Sequence, residues 1–120
     1  MIGLKERLAV TVEFINIDDA MARLNNNKKL YTMLLKKFDG NAMLGDLLTK
    51  IQSGDAAAAE ASAHTIKGLA ANLSLADLRH NAEELDNRLK AGDLDVDTSK
   101  IEVSIALTNE AIAKWIAANS

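Results

Sequence analysis

His64, Lys67 and Gly68 stand three and four residues apart in an alanine-rich stretch, and those residue types at that spacing can do chemistry. At about 100° per residue a helix brings the ring, the ammonium and the bare backbone to one side. The apolar stripe of the same stretch is Ala59, Ile66, Leu69, Ala70 and Leu73, all within about 60° of Ile66. His64 lies about 160° from Ile66, so the spacing predicts an imidazole directed to solvent. Ala57, Ala61, Gly68 and Ala71 surround it, and all are small. Alanine is the best helix former, whereas a mid-helix glycine costs about 1 kcal/mol. Gly68 therefore points to a need for space beside His64.

A helix-borne histidine can bind a metal, act as acid or base, or accept a phosphoryl group. Carboxylate-bridged metal bundles need inward-facing Glu-x-x-His motifs on two helices. The chain offers Asp77-x-x-His80, whose histidine points outward, and has neither His-Glu-x-x-His nor cysteine. No metal site is expected. Acid–base catalysis needs a concave pocket, which nothing in the pattern suggests. Phosphoryl acceptance fits: a neutral imidazole is nucleophilic near neutral pH, because its ordinary pKa is about 6.5. In-line attack needs an exposed ring without bulky neighbours. Lys67 supplies an ammonium for the charge-assisted hydrogen bond that a phosphoimidazole would accept. His80 has Glu83 and Glu84 at the same spacings instead, so it reads as an ordinary surface residue.

The elements that must hold His64 follow from periodicity. Leu4, Leu8, Thr11/Val12 and Ile15 predict an amphipathic helix over 3–15, and a shorter one over 18–25 carries Ala20, Met21 and Leu24. Asn25-Asn26-Asn27 reads as a turn. From Lys28 the stripe Leu30, Tyr31, Leu34, Phe38 is helical, and Leu44, Leu47, Leu48 and Ile51 resume it at a rotated angle beyond Gly40. Either the helix breaks or kinks at Gly40, or it continues and meets different neighbours at its two ends; one long, bent helix is the favoured expectation there. Ser53-Gly54-Asp55 gives a stop and a cap before the His64 helix, 55–73. Ser74-Leu75-Ala76-Asp77 opens the next helix as a capping box, burying Leu75, Leu78, Ala82, Leu85 and Leu89 as far as Gly92. An acidic loop, 93–97, leads to a second capping box, Ser99-x-x-Glu102. A final stripe follows: Ile101, Ile105, Thr108, Ile112, Trp115 and Ile116. Short connections imply an all-α, up-and-down antiparallel four-helix bundle with additional short N-terminal helices.

Composition agrees. The 120 residues suit one domain, 1–120, with residues 1–16 as a flanking helix and 17–120 as the bundle. There is no proline or cysteine and there are four aromatic residues (Trp 1, Tyr 1, Phe 2), which favours an aliphatic helical core. The lack of cysteine excludes disulfides and suits a reducing compartment. A net charge of −3 speaks against nucleic-acid binding. No apolar run reaches the roughly 18 residues that cross a bilayer, and the charged amino terminus is unlike a signal peptide. A soluble, cytoplasmic protein is expected. No glycine-rich phosphate loop is present, so the chain should not use ATP itself and should not be an enzyme.

Ala63-His64-Thr65-Ile66-Lys67-Gly68-Leu69-Ala70-Ala71-Asn72-Leu73 closely resembles the phosphoacceptor helix of histidine-containing phosphotransfer (HPt) domains. The likeness extends over about 17–92 through Ile17-Asp18, Leu30-Tyr31, Leu34-Leu35, Phe38, Gly54-Asp55, Leu78, Ala82 and Leu85, and more loosely to the last helix. It implies a relay intermediate phosphorylated on Nε2 of His64, with Lys67 stabilising the phosphoryl group and Gly68 giving clearance. Partners implied are response-regulator receiver domains or a hybrid histidine kinase, docking on a face that includes Ala57, Ala61 and Ala71. No cofactor is implied on this chain; Mg²⁺ belongs to the receiver. Ser74 stands where the family often has glycine. Two other readings remain open: a non-phosphorylated helical adaptor using the same face, and a segment of a larger hybrid sensor kinase.

Overall fold

Aliphatic residues at helical spacing produce six helices and no strand among residues 14–119, the part of the chain that a computed structural model describes. The helices are α1 (Ile17–Arg23), α2 (Lys28–Lys36), α3 (Gly40–Gln52), α4 (Ala56–Asn72), α5 (Ala76–Lys90) and α6 (Ser99–Asn119). The helix expected over 3–15 falls on residues outside the described part, apart from Phe14 and Ile15, which are buried. From α3 to α6 each helix packs on the next, α6 returns to α3, and α2 lies against α6. Connections as short as 53–55 and 73–75 leave consecutive helices no choice but to reverse direction. The result is the expected all-helical bundle.

Four helices start on a side chain that satisfies an orphan backbone donor. Asn16, Asn27, Asp39 and Asp55 accept from the N–H of Asp19, Leu30, Ala42 and Ala58 respectively. Asn25 and Asn26 take left-handed backbone angles, φ 53° and 61°, which makes the asparagine run a turn as expected.

Three expectations need correction. The single bent helix over 28–51 is two helices, because Lys37-Phe38-Asp39 interrupts it and Asp39 caps a new start. Gly40 begins α3 where the chain approaches α6: a Cβ there would lie 3.0 Å from Ile105 and Phe38 and 3.1 Å from Asn109. Ser74 does not cap α5. Its hydroxyl donates 2.6 Å to Asp19, its φ is 59°, and the residue at the cap is Leu75, with no side-chain bond. The second capping box, Ser99-x-x-Glu102, is not formed. Asp97 accepts from the Ser99 N–H, and the Thr98 hydroxyl donates to Glu102.

The core lies between α4 and α5, which share the most extensive contact. Ala59, Ala63 and Ala70 on α4 meet Leu78 and Ala82 on α5, all with no exposed surface. Small residues on α4 let the helices approach closely, and leucines from α5 fill the space. Ile105 and Ile112 of α6 and Leu47 of α3 close the other side. Buried Tyr31 ties α2 to this core by donating 2.7 Å to the carbonyl of Leu73, and its ring meets Trp115 edge-on at 5.7 Å.

Candidate functional site

α4 carries His64 at mid-length, held from below by its buried stripe of Ala59, Ala63, Ile66 and Ala70. The imidazole is 62% exposed, as the spacing predicts. Ala57 and Ala61 are exposed too, and Ala71 is half-buried. Gly68 is exposed, and a Cβ built on it would meet nothing within 4 Å. The space beside Gly68 is thus not filled by the described residues. Leu69 departs from expectation. It is 39% exposed, while Ala63 and Ser62 complete the buried stripe. Leu69 faces the junction of α2 and α3. With Leu34, Phe38, Met43 and Leu73, it lines an apolar groove of about 450 Å³.

Beneath the ring lies a group that the motif alone does not single out. Asp86 of α5 is fully buried, and its Oδ2 lies 3.6 Å from Nδ1 of His64, a little longer than a hydrogen bond. The same oxygen lies 3.4 Å from the ammonium groups of both Lys67 and Lys90. Lys67 is therefore not a free cation beside His64, as its spacing suggests; it is drawn down onto Asp86. Lys90 is a second cation at the same distance, four residues after Asp86 on α5. A buried carboxylate is tolerated only when paired in this way. Burial pushes the Asp86 carboxyl up, but neighbouring Glu60 and the ammonium groups of Lys90 and Lys67 outweigh it and hold it below the ordinary value.

Glu60, one turn before His64, completes the cluster. The neighbouring Asp86 carboxyl, then burial and the charge of Asp86, raise its carboxyl above the ordinary value. Ligand atoms of Glu60, His64 and Asp86 come within 4.8 Å of one another, which is compact enough for a metal. The donor set fits poorly. Two ammonium groups already occupy Asp86 Oδ2 and would repel a dication at that distance.

Helical spacing holds signals for these residues. Glu60 is four before His64, and Asp86 is four after buried Ala82 and three before buried Leu89, on the edge of the α5 stripe. His80 is exposed and lies outside this cluster. Asp77, its partner in the weak metal pattern, instead accepts from Ser104 at 2.6 Å and from Asn81.

The described residues thus bring together a mid-helix histidine, exposed at the ring, a buried carboxylate beneath it and two lysines on that carboxylate. The chain belongs to the Hpt domain family, whose model matches residues 33–117 and so takes in α3 to α5 and nearly all of α6. No curated protein and no solved structure matches the chain. Family membership places it in phosphotransfer within two-component signalling. Hpt domains are carriers of phosphoryl groups, not classical enzymes, and they work with receiver domains and kinases. The match reaches the last helix, where the likeness read from the motifs is loose, and begins within α2. No helix among the described residues is long and apolar enough to cross a membrane.

Proposed function

We propose that the chain is a phosphorelay intermediate that takes a phosphoryl group onto Nε2 of His64 from a receiver aspartate and passes it to a second receiver. The observation that carries this reading is the seating of the ring: Nδ1 faces a buried carboxylate at 3.6 Å while most of the imidazole stands in solvent. A carboxylate at Nδ1 favours the tautomer with the proton there, which leaves the Nε2 lone pair free to attack.

The step then needs no proton transfer. The Nε2 lone pair bonds to phosphorus, the phosphorus–oxygen bond of the acyl phosphate breaks, and the receiver carboxylate leaves with that electron pair. The ring keeps its Nδ1 proton and gains positive charge, which Asp86 stabilises. In the onward step a second receiver carboxylate attacks phosphorus, and neutral imidazole departs in the tautomer it began with. Lys67, 26% exposed, and Lys90, 52% exposed, can turn from Asp86 to the phosphoryl oxygens as charge arrives. Gly68 gives the oxygens clearance. Ala57, Ala61 and Ala71 provide a low-relief surface for docking, and the groove beside Leu69 extends it with apolar area. Mg²⁺ belongs to the receiver, and the chain contributes position and cations.

The test is transfer from a phosphorylated receiver domain. Wild-type protein takes up an acid-labile, base-stable phosphoryl group, and His64→Gln takes up none while keeping its helical circular dichroism. Full labelling of His64→Gln contradicts the assignment, and binding without labelling of the wild type supports an adaptor instead.

A further inference from the structure

Asp86 has one oxygen that the arrangement above leaves unexplained. Oδ2 faces Lys67, Lys90 and His64, whereas Oδ1 is buried with no hydrogen-bond partner among the described residues. A buried acceptor without a donor costs about 1–3 kcal/mol. The unassigned group in this cluster is Glu60, half-buried on α4. Ionised, Glu60 is an acceptor only and repels Asp86; protonated, it has one O–H to give.

We propose that Glu60 is a positioning residue of the relay site, carrying a proton that it donates to Asp86 Oδ1 and so fixing the carboxylate under His64 as a single negative charge. This rests on the relay reading of His64. The charged groups facing Glu60 are Asp86 and Lys90 from α5 and His64 on its own helix. Lys67 joins through Asp86. The charged pair of α3, Asp46 and Lys50, is turned to Ser62 and to each other. The opposed displacements of the two carboxyls, Glu60 upward and Asp86 downward, are those of a pair sharing one proton.

With Glu60 protonated, Asp86 and the two lysines leave the site with one net positive charge toward an incoming phosphoryl group. Loss of the Glu60 proton cancels that charge and puts an anion one turn from His64. The anion opposes the phosphoryl group and favours the imidazolium, whose Nε2 has no lone pair to offer. Uptake therefore carries a limb that falls as pH rises through the Glu60 titration.

Two measurements on the full chain test this. Carboxyl ¹³C NMR should give Glu60 a midpoint above that of glutamate in the urea-unfolded chain, returning toward it in Asp86→Asn. A Glu60 midpoint equal to the unfolded value overturns the pairing. Uptake from a phosphorylated receiver should be preserved within about twofold in Glu60→Gln, which keeps a neutral donor, with the falling limb gone. Glu60→Ala should be slower by roughly fivefold. Glu60→Gln as slow as Glu60→Ala, or with the falling limb intact, overturns the positioning role. The NMR arm involves no phosphoryl group: if Glu60 titrates as expected but wild-type protein takes up no phosphoryl group, the relay reading fails and the positioning role with it, while the carboxyl pairing stands.

Discussion

Two lysines on one buried carboxylate make a resting lock at the residue scale. Lys67 and Lys90 are equidistant from Asp86 Oδ2 at 3.4 Å, so each can substitute for the other when a phosphoryl group draws one away. Lys67→Ala and Lys90→Ala should each slow uptake a few-fold. The double variant should lose more than the product of the two, an interaction that a double-mutant cycle of uptake rates reads directly. Gly68→Ala separates fold from function. Its Cβ meets nothing among the described residues, so the fold should gain about 0.5–1 kcal/mol in urea titrations while phosphoryl uptake slows. A variant both more stable and fully active would remove Gly68 from the docking face. His64, Lys67 and Gly68 are legible in the sequence because they share one helix, where spacing fixes direction. Asp86 approaches the ring from another helix and Lys90 pairs with it there, and a single-helix wheel carries no information about that distance.

At the scale of elements, the turn after α4 is what fixes the C-terminal end of the histidine helix. Tyr31 donates to the Leu73 carbonyl, the Asn16 N–H donates to the Ser74 carbonyl at 2.9 Å, and the Ser74 hydroxyl donates to Asp19. Ser74 accepts a left-handed conformation that costs a non-glycine residue about 1–2 kcal/mol. Its bond to Asp19 offsets part of that cost. Ser74→Ala keeps the strain and loses the bond, so it should melt below wild type; Ser74→Gly loses both and should melt above Ser74→Ala. The reverse order would show that the Asp19 bond is unimportant and the backbone unstrained. A serine–aspartate spacing is the same in sequence whether serine caps a helix or reaches back to α1. Only the backbone angle distinguishes them, which is why the capping reading fails here. The rotated stripe signals a change at Gly40 but not whether the helix breaks or bends there, since the glycine meets Ile105 and Asn109, residues far along the chain.

The whole molecule joins these pieces through carboxylates. Hydrogen bonds from Ser74 to Asp19, from Lys50 to Asp46 and from Ser99 to Asp97 hold those carboxyls below their ordinary value of 3.8. Asp86 is also below it, burial being outweighed by Glu60 and the lysines. Each binds fewer protons folded than unfolded, so the stability it adds is present above about pH 4 and is lost as pH falls through the folded value. Glu60, raised, acts in the opposite sense and loses its contribution as pH rises above its ordinary value. The urea midpoint should therefore fall between about pH 5 and about pH 2.5, and fall less in Asp46→Asn. A midpoint unchanged over that range would mean that these bonds contribute nothing to folding. At this scale the helical class was the most legible feature, because alternating faces recur in every segment between Lys28 and Ile116. The groove beside Leu69 was not, since it exists only where α2 and α3 part.

The most direct test is the position of phosphorus on the ring. Protein labelled with ¹⁵N and loaded from a phosphorylated receiver should show ³¹P–¹⁵N coupling at Nε2 of His64, with Nδ1 still protonated. Coupling at Nδ1, at His80, or at neither histidine would contradict the account.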